Sequence, residues 1–158
     1  PKSDTERPSL MTLHAAIYET GKPVLIVPPE MPTEIGRRIL VAWNGTSEAA
    51  AAVAAALPFL KDAEEITVLT IETEKALNRI SGEELLRNLA WHGVSATTLG
   101  VSPGTETVGA TILAQCEQMN ADLLVTGAYT HSRLIQIILG GVTRHIITKA
   151  KIPVLAAR

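Results

Sequence analysis

The sequence predicts an α/β fold in which a parallel sheet of five strands carries helices on both faces. From residue 37 onward, short apolar runs alternate with helical stretches of about 10–14 residues, the pattern of consecutive βαβ units. Hydrophobic residues occupy 46% of the 158 positions but aromatic residues only 3%, so the core is built mainly from Ala, Leu, Ile and Val. That mixture is typical of buried parallel strands packed between Ala-rich helices.

The strands and helices follow from the apolar runs and from the turn residues that bound them. Strands are predicted at residues 38–43, 65–71, 95–99, 121–126 and 153–157. Helices are predicted at residues 46–57, 81–93, 106–119 and over a stretch that ends near Lys149. Pro58 ends or bends the first helix, because proline lacks the amide hydrogen that a helix interior requires. Ser81, followed by two glutamates, begins the second.

The opening segment repeats the pattern that closes the chain. Residues 9–20 have helical spacing, Gly21 stops the helix, and a strand follows from Pro23 to Val27. The string Pro-Val-Leu that begins this strand returns 130 residues later, at residues 153–155. A repeat of that length predicts a tandem protein, with chance recurrence of a short string as the alternative.

This repeat divides the chain into two expected units. Residues 1–33 are interpreted as the last helix and strand of a preceding copy, followed by a linker, and residues 34–158 as a second copy. A chain that opens on Pro1 rather than on Met is consistent with that expectation.

Charge is distributed unevenly along the chain. The net charge is −2, which argues against a general nucleic-acid binder. No acidic residue follows Asp122, so the last 36 residues carry +5 and the first 122 carry −7. This asymmetry favours an anion site that uses Arg133 and Arg144. Lys149 and Lys151 serve either that site or the carboxyl end of the last helix, where cations are favoured.

Composition also bears on location and redox state. No run of about 18 apolar residues occurs, so no membrane span is predicted. The single cysteine, Cys116, excludes an intrachain disulfide and fits a reducing, cytoplasmic setting. It lies in an apolar helical run, which indicates a buried structural thiol rather than a nucleophile.

Ligands of doubly wound sheets bind outside the carboxyl ends of the strands, where the strand order reverses. The loops at residues 44–47 and 127–133 follow two predicted strands and carry the glycines and hydroxyls that a phosphate cradle requires. We therefore expect the binding site at these loops.

Three segments together resemble the universal stress protein family: ILVAWNGTS at residues 39–47, ADLLVTGAYTHS at 121–132 and LGGVT at 139–143. The resemblance covers about residues 37–158 and implies a flavodoxin-like, Rossmann-like sheet with strand order 3-2-1-4-5. It also implies that last strands pair edge to edge, here from Pro23 to Val27 against Pro153 to Ala157, as a pseudo-dimer within one molecule or as self-association.

Nucleotide-binding members of that family carry Gly-x2-Gly-x9-Gly-Ser/Thr after the fourth strand. The matching positions are Gly127, Thr130, Gly140 and Gly141. The spacing of the motif is kept, but Thr130 and Gly141 differ from the residues that it requires. The family's acidic residue after the first strand is Asn44. By this resemblance the nucleotide-binding residues are Asn44, Gly45, Thr46, Gly127, Thr130, His131, Arg133, Gly140, Gly141, Val142 and Thr143.

The resemblance implies a non-enzymatic stress-response module that binds ATP, ADP or AMP weakly and requires no cofactor. The alternative is a nucleotide-independent dimerising scaffold of the same family, with unidentified protein partners. A nucleotide hydrolase is a third reading, but no Gly-x-Ser-x-Gly elbow and no P-loop lysine occur. The four histidines lack metal-ligand spacing, and no Asp or Glu is expected near the site. His131 lies in the proposed loop, where ligand contact is favoured over proton transfer.

Overall fold

The computed structural model describes residues 10–30, 32–72, 81–128 and 141–158. The strands are β1 Val24–Ile26, β2 Arg38–Ala42, β3 Glu65–Ile71, β4 Thr97–Val101, β5 Leu123–Gly127 and β6 Val154–Ala157. The helices are α1 Leu10–His14, which continues as a π-helical turn over Ala15–Glu19, α2 Ser47–Asp62, α3 Gly82–Trp91, α4 Val108–Gln118 and α5 Gly141–Lys149.

The described strands form one sheet in the order β1-β6-β5-β2-β3-β4. Strands β2 to β6 pair in parallel, which confirms the α/β class expected from the sequence. The expectation of five strands in the order 3-2-1-4-5 was incomplete and is corrected to this six-stranded order. The sixth strand is β1, which joins β6 antiparallel, and the parallel strands lie in the order β4-β3-β2-β5-β6.

Strand β1 covers an edge that would otherwise be apolar and unpaired. All four residues of β6 are buried. Val24 lies opposite Ala156 and Ile26 opposite Val154, so the expected pairing of the opening strand with the last strand occurs within one chain. Covering such an edge prevents it from pairing with other chains.

Alternate residues of each central strand pack on opposite faces of the sheet. Val41 and Val125 belong to the core under α2 and α3, whereas Leu40 and Leu124 belong to the core under α4 and α5. The second core also contains Cys116, whose side chain is buried. Burial raises the pKa of its thiol to about 12, as expected for a structural cysteine.

Helix boundaries depend on caps that the sequence contains. Ser81 and Glu84 form a reciprocal capping box at the start of α3, which confirms the predicted beginning of that helix. The predicted end of α2 near Leu57 was wrong, since the helix passes through Pro58 and ends at Asp62. Pro58 and Ala54 both lie on the exposed side of the helix, opposite the buried residues that hold α2 against the sheet.

The amino ends of β2 and β5 are joined by one carboxylate. Asp122 accepts hydrogen bonds from the backbone amides of Gly36 at 2.8 Å, Arg37 at 3.2 Å and Arg38 at 3.1 Å. We call this group the amino-edge clamp. It fixes the start of β2 beside β5, and thereby the register of the pair whose opposite ends carry the candidate site.

Candidate functional site

The sheet reverses its winding between β2 and β5. These strands are parallel neighbours, with Ile39 opposite Leu123 and Ala42 opposite Thr126. The chain leaves β2 for α2 on one face, whereas α5, which follows β5, packs on the other face. Helices that diverge in this way leave a crevice outside the carboxyl ends of the two strands, the usual ligand position in such sheets.

The loop after β2 is held by side-chain hydrogen bonds. Gly45 has a φ of +68°, which turns the chain sharply towards α2. The Oδ1 atom of Asn44 accepts hydrogen bonds from the Thr46 amide at 3.3 Å and from the Thr46 hydroxyl at 2.8 Å. Thr46 in turn caps α2, because its Oγ1 accepts a hydrogen bond from the Ala49 amide at 3.3 Å. Asn44 therefore has a structural role in holding this turn.

The end of β5 lies directly against the first turn of α2. A Cβ atom at Gly127 would stand 2.6 Å from the Ala49 amide nitrogen and 2.9 Å from the Glu48 carbonyl carbon. Only glycine allows this approach of backbone to backbone. Gly127, predicted from the sequence as a point of phosphate approach, lies against the backbone of helix α2.

The first turn of α5 supplies the remaining described part of the predicted site. Gly141 is exposed, and the described atoms leave open space around its α-carbon. Val142 is 39% exposed, whereas the Thr143 side chain faces inward and is buried. The helix start therefore presents Gly141 and Val142 at the surface.

Two glutamates lie at the same edge of the sheet, and the expectation that no acidic residue would be near was wrong. Glu48 is in the first turn of α2, beside Gly127. Glu72 directly follows β3, its amide donates to the carbonyl of Val101 at 2.9 Å, and its carboxylate lies over Gly100. Only strand pairing places Glu72 near this edge, because 28 residues separate it from Asn44.

Family comparison agrees with this architecture. The profile of the universal stress protein family matches residues 36–158, well over half of the chain. The chain belongs to the universal stress protein family. Among curated proteins, none gives a significant match.

Solved universal stress proteins share the fold at low sequence identity. One from Archaeoglobus fulgidus DSM 4304 is 21% identical with a TM-score of 0.70, and the match covers 87% of this chain and 51% of that one. UspA from Lactobacillus plantarum is 19% identical with a TM-score of 0.56, covering 80% of this chain and all of that one.

A protein of the family from Burkholderia pseudomallei is 21% identical with a TM-score of 0.56, covering 79% and 98% of the two chains. The present chain thus spans about half the length of the A. fulgidus protein.

Within this universal stress protein, the described part of the predicted site is divided between one loop, one strand end and one helix start. Asn44, Gly45 and Thr46 follow β2, Gly127 ends β5, and residues 141–143 begin α5. The remaining predicted site residues lie outside the described residues: Thr130, His131, Arg133 and Gly140.

In residues 10–30, 32–72, 81–128 and 141–158, no three His, Cys, Asp or Glu side chains are placed to hold a metal ion. No described helix is long and apolar enough to cross a membrane.

Proposed function

We propose that this universal stress protein is a non-enzymatic, cytoplasmic stress-response module that binds an adenine nucleotide weakly in the crevice between β2 and β5. The observation that supports it best is the switch point itself. The loop after β2 and the start of α2 lie beside the end of β5 there, and helix amino ends favour phosphate groups. Arg144 is exposed one residue beyond Thr143 and adds a cation to the α5 side.

Weak rather than tight binding follows from the groups at the crevice. Asn44 offers an amide where a carboxylate would accept a ribose hydroxyl more strongly, and its Oδ1 already binds Thr46. Gly141 lacks a hydroxyl that could reach a phosphate oxygen. Glu48 and Glu72 place negative charge at the same edge, which opposes binding of an anionic ligand.

A tandem arrangement is part of this proposal: residues 1–33 end a preceding copy, and residues 34–158 form the domain. Two findings support it. Strand β1 pairs with β6 as equivalent strands would across a pseudo-two-fold axis. The likeness to the A. fulgidus protein covers a larger part of this chain than residues 36–158, and that protein is about twice as long as the matched part.

Thermal unfolding with and without millimolar ATP, ADP and AMP tests nucleotide binding. At a concentration about ten times Kd, a ligand of the native state adds about 1.4 kcal/mol. We expect Tm to rise by about 3–6 °C. Repeating the same measurements on Thr130→Gly tests whether Thr130 limits the affinity for nucleotide. If no nucleotide raises Tm in the parent chain or in this variant, the proposal is wrong.

The second candidate is a nucleotide-independent dimerising scaffold. It is favoured by the differences from the family's nucleotide-binding motif at Asn44 and Gly141. Light scattering at several protein concentrations would then show a dimer. In thermal unfolding, the Tm of this dimer would not change when nucleotide is added. A hydrolase, the third candidate, would convert ATP to ADP at a rate that His131→Ala abolishes.

A further inference from the structure

The antiparallel pair of β1 and β6 is centred on two leucines that the sequence repeat makes equivalent. Leu25 lies opposite Leu155, and these residues are 130 positions apart, which is the offset of the Pro-Val-Leu repeat. On either side of them the partners are exchanged. Val24 lies opposite the equivalent of Ile26, and Ile26 lies opposite the equivalent of Val24. This exchange is the pattern of a two-fold axis that passes between the two leucines.

The two equivalent leucines differ in how they are covered. Residues directly opposite each other in an antiparallel pair project to the same face of the sheet, so both leucines face the side on which α2 lies. Leu155 belongs to the core under α2 and α3 and is only 4% exposed. Leu25 is 40% exposed, and among the described residues that core contains none from β1. We call this uncovered side of β1 the Leu25 face.

Strand β1 is also the outermost strand on its side of the described sheet. Its equivalent, β6, has β5 as a parallel neighbour on the other side. All residues of β6 are buried, whereas those of β1 are half-buried or exposed. Within the described ranges, β1 therefore has neither the second neighbouring strand nor the covering helix that its equivalent has. An open strand edge of this kind is a template for pairing with a further strand.

We propose that the Leu25 face docks the counterpart of helix α2 from a preceding copy of the domain, and that the counterpart of β5 pairs with the open edge of β1. This inference rests on the tandem arrangement in the proposed function, and it adds the docking surface and the elements that fill it. The pseudo-two-fold axis specifies the occupant, because rotation about it carries α2 and β5 onto the open face and edge of β1.

Helix α2 also defines the chemistry of the occupant. The α2 side chains that share a core with Leu155 are mostly small, and they include Ala49, Ala52 and Ala56. A helix that docks on the Leu25 face should therefore present an alanine-rich side, which allows its backbone to approach the strand closely.

Thiol labelling of the protein as it occurs in its native cells tests this docking. Its intact mass should correspond to a chain longer than 158 residues. Leu25→Cys is then placed in this native protein and in the 158-residue chain, and both are labelled with a maleimide. We expect the new thiol to react at least about tenfold more slowly in the native protein, because the docked helix covers it.

Two references calibrate the labelling. Trp91→Cys is the matched control, because Trp91 is 87% exposed on α3, which packs on β3 and β4 at the other end of the sheet. Its thiol should react equally fast in both proteins. Cys116 is buried and is the protected reference in both.

The outcomes separate the docking surface from the tandem arrangement. Equal reactivity of the Leu25→Cys thiol in the two proteins would overturn the inference and leave the tandem arrangement standing. A native mass equal to that of the 158-residue chain would refute the tandem arrangement, and the docking with it. Labelling of the 158-residue chain that slows as its concentration rises would make a second copy the occupant, which also contradicts the inference.

A photoreactive diazirine analogue of leucine identifies the occupant and covers the case in which cysteine itself weakens docking. Placed at position 25 of the native protein, it should cross-link to the helix of the preceding copy that is equivalent to α2. Placed at position 155, it should cross-link to α2 of its own copy, which serves as the control. A cross-link from position 25 to any other element, or none where position 155 gives one, would overturn the inference.

Discussion

The two ends of the β2–β5 pair are held together by different means. At the amino end, the Asp122 carboxylate accepts three backbone amides, and the Arg37 guanidinium donates to Glu64 and Glu34. The bond to Glu64 contributes most to raising the pKa of Arg37 and lowers the pKa of Glu64. At the carboxyl end, no carboxylate joins the described residues of the two strands. Gly127 rests on the backbone of α2 instead.

This difference separates a structural edge from a binding edge. In the amino-edge clamp, charged and polar groups are directed at one another, so they hold the register and leave little for a ligand. At the carboxyl edge, packing of Gly127 on the backbone of α2 holds β5, and Asn44 and Gly141 are exposed. Variants at the amino edge should therefore change stability alone, and variants at the carboxyl edge should change ligand binding as well.

The largest effect is expected for Gly127→Ala. The added Cβ would lie 2.6 Å from the Ala49 nitrogen, so strand β5 and helix α2 must move apart. We expect a loss of about 3 kcal/mol in the free energy of unfolding, from urea titration, and loss of any Tm shift by nucleotide. Gly141→Ala is the control, because open space surrounds that glycine among the described atoms, and it should cost less than about 1 kcal/mol. Equal stability of the two variants would contradict the packing role.

Asp122→Ala tests the amino edge. Three backbone amides lose their acceptor, and we expect about 2 kcal/mol of destabilisation by urea titration. Nucleotide affinity, measured by calorimetry below the unfolding transition, should equal that of the parent. An affinity loss as large as that of Gly127→Ala would remove the distinction between the two edges.

Thr46→Ala should have a smaller effect on stability. It removes the N-cap of α2 and a donor to Asn44, at a cost of about 1 kcal/mol. Thr46→Ser restores both hydrogen bonds and should recover most of that loss, as urea titration of the three proteins would reveal. A serine variant no more stable than the alanine variant would exclude the hydroxyl as the cause.

Asn44→Asp tests the carboxyl edge through its effect on nucleotide affinity. A carboxylate accepts the two Thr46 hydrogen bonds equally well, so the free energy of unfolding should stay within about 0.5 kcal/mol of the parent. Nucleotide affinity should rise about fivefold, since a carboxylate binds a ribose hydroxyl more strongly than an amide does. Calorimetric titration with AMP measures both affinities, and a fall in affinity would count against the ribose contact.

Local patterns predicted most of the elements of this chain. The apolar run 38–43 became β2, Ser81 with Glu84 formed the expected cap, and Cys116 is buried as expected. The candidate site stays a prediction. It rests on the rule that the segments after parallel strands share one edge of the sheet, and Asn44–Thr46 and Gly127 lie at the ends of β2 and β5.

By itself, the sequence determined the α/β class, most strand and helix positions, and the family, since these depend on residues close together along the chain. Only the tertiary structure showed why position 127 requires glycine and where Glu72 lies. It also showed that Ile17 is buried in one cluster with Ala128. Helix α2 passes through Pro58 for a similar reason, because burial of Leu60 in the core outweighs the lost hydrogen bond. Each of these depends on contacts between segments tens of residues apart, which no local pattern of residues encodes.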